Sequence, residues 1–577
     1  MSKKWVVSAK RADFDAIAAK FHISPYLARI IRNRDVIGDE NVNLYLNGEP
    51  KDMHDPSLLK DIEIAKDIIS DAVEAGVKIR IVGDYDIDGV CASHILHTGI
   101  SYLGGNVDVR LPDRILDGYG INENIIREAS ADDIELIITC DNGIAAAKEV
   151  QLANDLGMSV IITDHHEVPF SEENGIKEYI IPNADAVIDP KQEECNYPFS
   201  GICGAMVAYK LISYMLKDYE GADEKELLEE LFSFAAFATV GDVMELVDEN
   251  RIAVKHGIEI LKKTTNLGMK TLMEVTGVHK DVLSAYHIGF ILGPCINASG
   301  RLDTAKRALE LFSCLDKGQA TVISKELYDL NESRKNMTVS FANAAIKMVQ
   351  EEYMDDKVLV IFLPSCHESI AGIVAGRIRE KFYKPAIVLT LDAEGGVKGS
   401  GRSIESYNMF DELTKVKAIF TKFGGHKMAA GMSLSRDKVD ELRRRLNDNC
   451  QLSDEDLVEK MVIDIPLPIG LVTEGFVEEN DKLAPFGVAN PKPLFAQKDV
   501  AIRQMQLIGK NKNVLKLILD GVNKDNNHIN VEAVLFNNAE EAYEKIKERD
   551  KISILYQIGM NEYMGNRTVQ LLIQDYM

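Results

Sequence analysis

Asp84-Tyr-Asp86-Ile-Asp88-Gly89 places three carboxylates at i, i+2 and i+4, directly after the apolar run KIRIVG. Two like charges about 4 Å apart cost about 1 kcal/mol in water and several times that in a partly dry cleft. Such a turn needs either open solvent or a cation. The pattern is half of a calcium loop, but the twelfth position from Asp84 is Ile95 rather than the glutamate that loop requires. Asp141-Asn142-Gly143 follows a second apolar run, ELIITC, and Asp164-His165-His166 a third, SVIIT. Asp242, in Thr239-Val-Gly-Asp-Val-Met, follows FSFAAFATV. Taken singly, DNG reads as a turn, the histidines as a surface pair and Asp242 as a helix N-cap. Taken together, carboxylates with one or two imidazoles suit hard, oxygen-ligated ions, Mn²⁺ or Mg²⁺ rather than Zn²⁺. They are enough for two ions about 3.5–4 Å apart, a pair that activates a water and clamps both oxygens of a phosphoryl centre.

These groups need a scaffold that brings distant residues together. IEIAKDIISDAVEAG has helical periodicity and ends in glycine, and KIRIV then reads as a strand. The unit recurs before each acidic motif. Short, continuously apolar strands alternating with helices predict a parallel sheet covered on both faces, with ligands at the strands' carboxyl ends. The expected fold is therefore α/β. Residues 205–350 read as mostly helical, and 315–352, which lacks proline, as one long connecting helix. A smaller α/β section follows, with VLVIFL, an apolar segment from Ile370, PAIVLTL and a glycine-rich region to about 435. Beyond 455, short alternating strands predict a small β-barrel. The expected boundaries are 1–50 (helical segment), 51–350 (catalytic domain with connecting helix), 353–450 (second α/β domain) and 458–577 (barrel).

The balance of 577 residues, 46% hydrophobic and 27% charged, is that of an ordinary globular protein. No apolar run approaches the roughly 18 residues that cross a bilayer. The start, MSKKWVVSAK, lacks a secretory pattern, and the eight cysteines form no CxxC pair. A reducing cytoplasm is expected. The net charge of −25 argues against a general polyanion binder. Between Arg377 and Arg445, however, 15 Lys/Arg face 9 Asp/Glu, so one region is basic.

DYDIDG, DNG, DHH and the later GD resemble the four motifs of the DHH phosphoesterase superfamily. That resemblance implies one metal on Asp84, Asp86 and Asp141, and a second on Asp88, Asp141, His165 and Asp242. Asp141 would bridge, and His166 would point at the substrate phosphate. Gly424-Gly-His426-Lys-Met-Ala-Ala-Gly431 resembles the accessory DHHA1 domain, and the β-rich tail an oligonucleotide-binding (OB) barrel. DRILDGYG, INASGRL, GSGRS and LAPFGVANPKPLF resemble the branch that degrades single-stranded DNA in recombination and repair. The likeness implies a processive 5′→3′ exonuclease releasing mononucleotides. Arg114, Ser400 and Arg402 would hold the 5′-phosphate, with Asn297 also at the substrate, and Arg301 and His426 near the scissile phosphate. It also implies a RecQ-type helicase and a single-strand-binding protein as partners, no membrane, and a monomer.

Three positions depart from that pattern: Ser369 and Ala489 stand where glycine is usual, and Glu245 where proline is. None is an implied metal ligand. Phe495, Phe536, Tyr556 and Tyr563 are candidates for base stacking, with core packing the alternative role for each. Two other functions share parts of the pattern. A nanoRNase or cyclic-dinucleotide phosphodiesterase shares the metal and GGH motifs but generally lacks a barrel. A catalytically inactive single-strand-binding scaffold should have lost acidic ligands, and here every one is present.

Overall fold

The computed structural model describes residues 3–577 except 115–116, 174–175, 218, 220, 222, 393–394, 537 and 564. Five parallel strands form the first sheet, in the spatial order Asn106–Arg110, Lys78–Val82, Leu136–Cys140, Ser159–Thr163, Ala186–Ile188. Four of the five residues of Lys78–Val82 and all of Leu136–Cys140 are buried, as continuous apolar runs covered on both faces require. The chain order along this sheet reverses between Lys78–Val82 and Leu136–Cys140, and that crevice is where α/β sheets bind ligands. The strands feeding the three acidic motifs are consecutive neighbours there, so their carboxyl ends converge. The preceding helix, Ile62–Ala75, stops at Gly76 in the left-handed conformation.

The connecting helix spans Lys317–Met348. Its 32 residues measure about 48 Å. Ala320, Ile323 and Leu327 lie in the core of the catalytic domain, whereas Ala342 and Ala345 lie in that of the second domain. In the second domain a five-stranded sheet runs in the order Phe420–His426, Ala429–Leu434, Val397–Arg402, Ala386–Leu391, Leu359–Phe362. The helix Glu368–Phe382 covers it.

The C-terminal strands Phe495–Ile508, Val514–Val522, His528–Leu535, Asn566–Tyr576 and Lys551–Tyr563 close into a barrel, because the first also pairs with the last. Phe495 and Tyr556 are fully buried partners across that seam, with the Tyr556 hydroxyl donating to Leu467 O at 2.6 Å. They are core residues, not stacking surfaces. Phe536 is exposed, and the side chain of Tyr563 lies outside the described residues.

The N-terminal segment differs from the helical expectation. Lys4–Val7 is a strand paired in parallel with Lys460–Ile463, ahead of three helices, Phe14–Phe21, Pro25–Asn33 and Asp39–Asn47. Leu27, Ile30, Ile31 and Val42 share one core with barrel residues such as Leu517 and Tyr556. Arg251, reaching from the catalytic-domain helix Asp248–Leu261, fastens this unit in place. Its guanidinium donates to Tyr45 O, Leu483 O and Ala484 O at 2.8, 2.9 and 2.9 Å and stacks on the Tyr45 ring. Among the described residues, no helix is long and apolar enough to cross a membrane.

Candidate metal centre and cleft

Each ligand-type side chain is set by local backbone. Asp86 caps the helix Ile87–Tyr102, its Oδ1 accepting from Asp88 N and Gly89 N at 2.9 and 3.2 Å. Gly89 lies where a Cβ would come within 2.5 Å of the Asp84 backbone, so only glycine permits the tight loop. Asp88 is held from the far side by the N-terminus of Gly204–Leu216, accepting from Gly204 N and Ala205 N at 2.7 and 2.8 Å. Those two donors fix the orientation of its side chain. Asp141 has left-handed backbone (φ 60), and its carbonyl accepts the Tyr119 hydroxyl at 2.7 Å. The neighbouring Asn142 donates to Val82 O and Cys140 O, tying two strand ends together.

The result is a cage. Oxygens of Asp84, Asp86 and Asp141 all lie within 4.8 Å of one another, as do ligand atoms of Asp88, His165 and Asp242, and of Asp141, His165 and His166. His165 Nε2 stands 3.0, 3.4 and 3.8 Å from oxygens of Asp141, Asp88 and Asp242, so it joins the groups. Asp242 follows the C-terminus of the helix Glu224–Gly241. It is therefore not the N-cap that its sequence context allows; the stretch FSFAAFATV is itself the buried end of that helix.

Burial, then the neighbouring carboxylates, push the acids Asp84, Asp86 and Asp141 above the usual carboxylate range, and lift Asp242 to about 8. Burial lowers His165. His166 is also pushed down by burial, but its 2.8 Å hydrogen bond to Asp164 and the carboxylates around it outweigh this and lift it to about 9. Asp84 Oδ1 is buried without a hydrogen-bond partner. An orphaned carboxylate oxygen among clustered acids fits a divalent cation, and the mostly oxygen donor set fits Mn²⁺ or Mg²⁺.

This sets an expectation for the metal-free protein. A carboxyl whose folded pKa is raised stabilises the fold below its unfolded pKa, near 4, and loses that contribution as pH rises through the folded value. For Asp242 the window closes near 8. Divalent ions bind the ionised cage, so the rise in melting temperature on adding Mn²⁺ should be larger at about pH 8 than at about pH 5. Thermal melts with Mn²⁺ and with chelator check this; equal shifts would contradict it.

Beside the cage, a cleft of about 860 Å³ runs between the catalytic and second domains. Arg114, Arg301, Ser400 and Arg402 all line it, with Arg377, Arg379 and Lys422. Arg114 sits over the Tyr85 ring at 4.9 Å, and Arg301 donates to Ser369 O at 2.8 Å. Arg402 donates to Ser400 Oγ at 2.8 Å. Gly372, facing this pair, leaves no space for a Cβ: it would come within 2.8 Å of the guanidinium and 2.9 Å of the hydroxyl.

Two further residues are expected at the substrate. Asn297 Oδ1 accepts from Ile87 N at 2.8 Å, so it positions the DYDIDG turn. His426 ends the edge strand Phe420–His426 and is exposed, two residues beyond Gly424, which lines the cleft. Sequence reading passed over Tyr119, whose hydroxyl lies 3.3 Å from His166 and 2.7 Å from Asp141 O; the string DRILDGYG contained it. Of the departing positions, Ser369 pairs through Oγ with His367 Nδ1 at 2.7 Å, Glu245 is exposed, and Ala489 takes φ 60, a conformation glycine adopts without strain.

Three family models match: the DHH family N-terminal domain over 78–239, the DHHA1 domain over 355–452 and the RecJ OB domain over 463–575. The chain is 35% identical to the single-stranded-DNA-specific exonuclease RecJ of Bacillus subtilis over 578 residues, covering 99% of this chain and 70% of that protein. It is 31% identical to the enzyme of the same name from Escherichia coli, covering 99% of each. The manganese complex of RecJ from Thermus thermophilus superposes with a TM-score of 0.80 at 23% identity, over 100% of this chain and 79% of that one. With all three domains matched in order and similarity along the whole length, the chain belongs to the RecJ family of single-stranded-DNA-specific exonucleases.

Proposed function

We propose that this chain hydrolyses single-stranded DNA from its 5′ end to mononucleotides, in recombination and repair, using Mn²⁺ or Mg²⁺. The observation that carries the reading is the meeting of a carboxylate–imidazole cage with a cationic cleft at one sheet's switch point. Bound divalent ions supply Lewis acidity and an activated water. Asp84, Asp86 and Asp141 would hold one ion, and Asp88, Asp141, His165 and Asp242 the other. His166, fixed by Asp164 and Tyr119, offers a hydrogen bond to the phosphate being cut. Arg301, held by Ser369 O, adds positive charge on the cleft side. Arg114, Ser400 and Arg402 would grip the terminal phosphate, and their placement relative to the cage sets where the strand is cut.

Every group named belongs to one chain, which supports a monomer. A cleft shaped for one strand needs its substrate unwound and kept single, which supports a helicase and a single-strand-binding protein as partners. The decisive experiment is digestion of a strand labelled at one end, with Mn²⁺ and with chelator. Labelled mononucleotide should appear at once from the 5′ label and only late from the 3′ label, and the chelator should stop both. Early release from the 3′ label, or preference for a dinucleotide over a long strand, would overturn the reading.

Arg402→Ala should lower kcat/KM for a 5′-phosphorylated strand by roughly ten- to a hundredfold, the worth of one charged hydrogen bond. A strand ending in a 5′-hydroxyl should be affected less. Equal losses on both would remove Arg402 from the terminal-phosphate pocket.

A further inference from the structure

The helix Asp248–Leu261 opens with three successive buried polar side chains, Glu249, Asn250 and Arg251. Successive positions on a helix point about 100° apart, so the three face three different neighbours. Arg251 reaches the N-terminal unit and the loop before the barrel. Glu249 pairs with Lys210 Nζ at 2.9 Å and accepts from the Tyr197 hydroxyl, which ties it to the helix Gly204–Leu216. Asn250 turns toward the cage: its Nδ2 donates to Gly201 O at 2.7 Å and to Glu245 O at 3.1 Å. Its Oδ1 is buried and finds no hydrogen-bond partner among the described residues, a cost that a side chain kept only for packing would not carry.

The two carbonyls belong to the segments that build one half of the cage. Gly201 lies three residues ahead of Gly204, whose N–H, with that of Ala205, holds the Asp88 carboxylate. Glu245 lies three residues beyond Asp242. Neither segment has slack. A Cβ at Gly204 would come within 2.8 Å of Asp141 Cβ and 3.1 Å of Asp88 Oδ2. One at Gly241 would come within 2.5 Å of Ile87 Cδ1, in the DYDIDG turn. Between Asp242 and Glu245, Val243 takes φ 62, a left-handed value that a β-branched residue keeps only where its surroundings impose it. One amide nitrogen bonds both segments.

We infer that Asn250 is a positioning residue for the ion assigned to Asp88, Asp141, His165 and Asp242. It sets the spacing between the helix start that orients Asp88 and the turn that carries Asp242. The inference rests on the reading of the site given above. The other ion's ligands are fixed by different bonds. Asp86 accepts from Asp88 N and Gly89 N, and the turn that carries it is held by Asn297. Asp141, common to both ions, is held by Thr163 O and by Tyr119. Loss of the Asn250 donors therefore weakens one ion and spares its neighbour.

The test is calorimetric titration of the metal-free chain with Mn²⁺, well below its melting temperature, where two ions should bind. Asp242→Asn removes a ligand from one ion only, and so identifies that ion's isotherm. Asn250→Leu, similar in bulk and without donors, should raise the dissociation constant of that same ion roughly ten- to a hundredfold, the range for groups that orient metal ligands. The other ion should bind as before. Asn250→Asp keeps the shape, and its carboxyl, when protonated, can donate to one carbonyl rather than two. It should weaken the same ion by less, and it carries the test if the leucine variant fails to fold. Equal weakening of both ions, the mark of a loosened fold, or unchanged binding of both, the mark of an amide that only packs, overturns the inference. If the unaltered chain binds no pair of Mn²⁺ ions, the reading of the site fails and takes this inference with it.

Discussion

Asp141→Asn should abolish cleavage, by more than about a thousandfold in kcat, while leaving much of the affinity for single-stranded DNA. Asp141 belongs to two of the three ligand clusters and stands 3.0 Å from His165, so it is the group the cage shares. The same substitution should raise the melting temperature of the metal-free protein. Burial and four neighbouring carboxylates push this acid up, so a neutral amide of the same shape relieves strain that only a cation otherwise relieves. The two effects together separate a metal ligand from a merely structural residue. Turnover assays, strand binding by anisotropy, and melts with and without Mn²⁺ measure them. Unchanged turnover, or a metal-free protein that is no more stable, would contradict the model of the cage.

Arg251→Met should destabilise the fold by about 3–5 kcal/mol, because buried carbonyls lose their donors at once. The side chain is fully buried and meets no carboxylate among the described residues; its partners are Tyr45 O, Leu483 O and Ala484 O. Methionine supplies similar bulk and no hydrogen bonds, so the loss reads the polar network rather than a cavity. Since these carbonyls belong to the N-terminal helices and to the loop before the barrel, urea unfolding should change from one transition to two. A single transition with unaltered midpoint would show that the barrel docks by other contacts.

The catalytic sheet was legible because its strands are short, apolar and followed at once by acids. A parallel sheet then forces strand ends such as Cys140 and Thr163 to one edge. That alone brings Asp84, Asp141 and His165 together, whatever the family likeness adds. What stayed hidden depends on contacts between distant parts. Lys4–Val7 has three exposed residues and one part-exposed one, with no burial alternation, so nothing local marks it as a strand. Asp242 looked like a helix start because the helix ending there is buried on all sides near its end and shows no amphipathic period. Nothing in the string INASGRL announces that Asn297 bonds Ile87 N, far back in the DYDIDG turn. His426 sits in a motif that reads as phosphate-gripping, and only the strand pairing shows that it ends an edge strand whose hairpin lines the cleft.

The helix Lys317–Met348 has a further consequence. Its two halves are embedded in different cores, and beyond Gly318 it contains neither glycine nor proline at which to bend. The opposing lips of the cleft are therefore mounted on a stiff rod, like the jaws of a locked caliper. The spacing of those lips is thus built into the fold itself, and a fold that sets the spacing can by itself favour a thin polymer over a thick one.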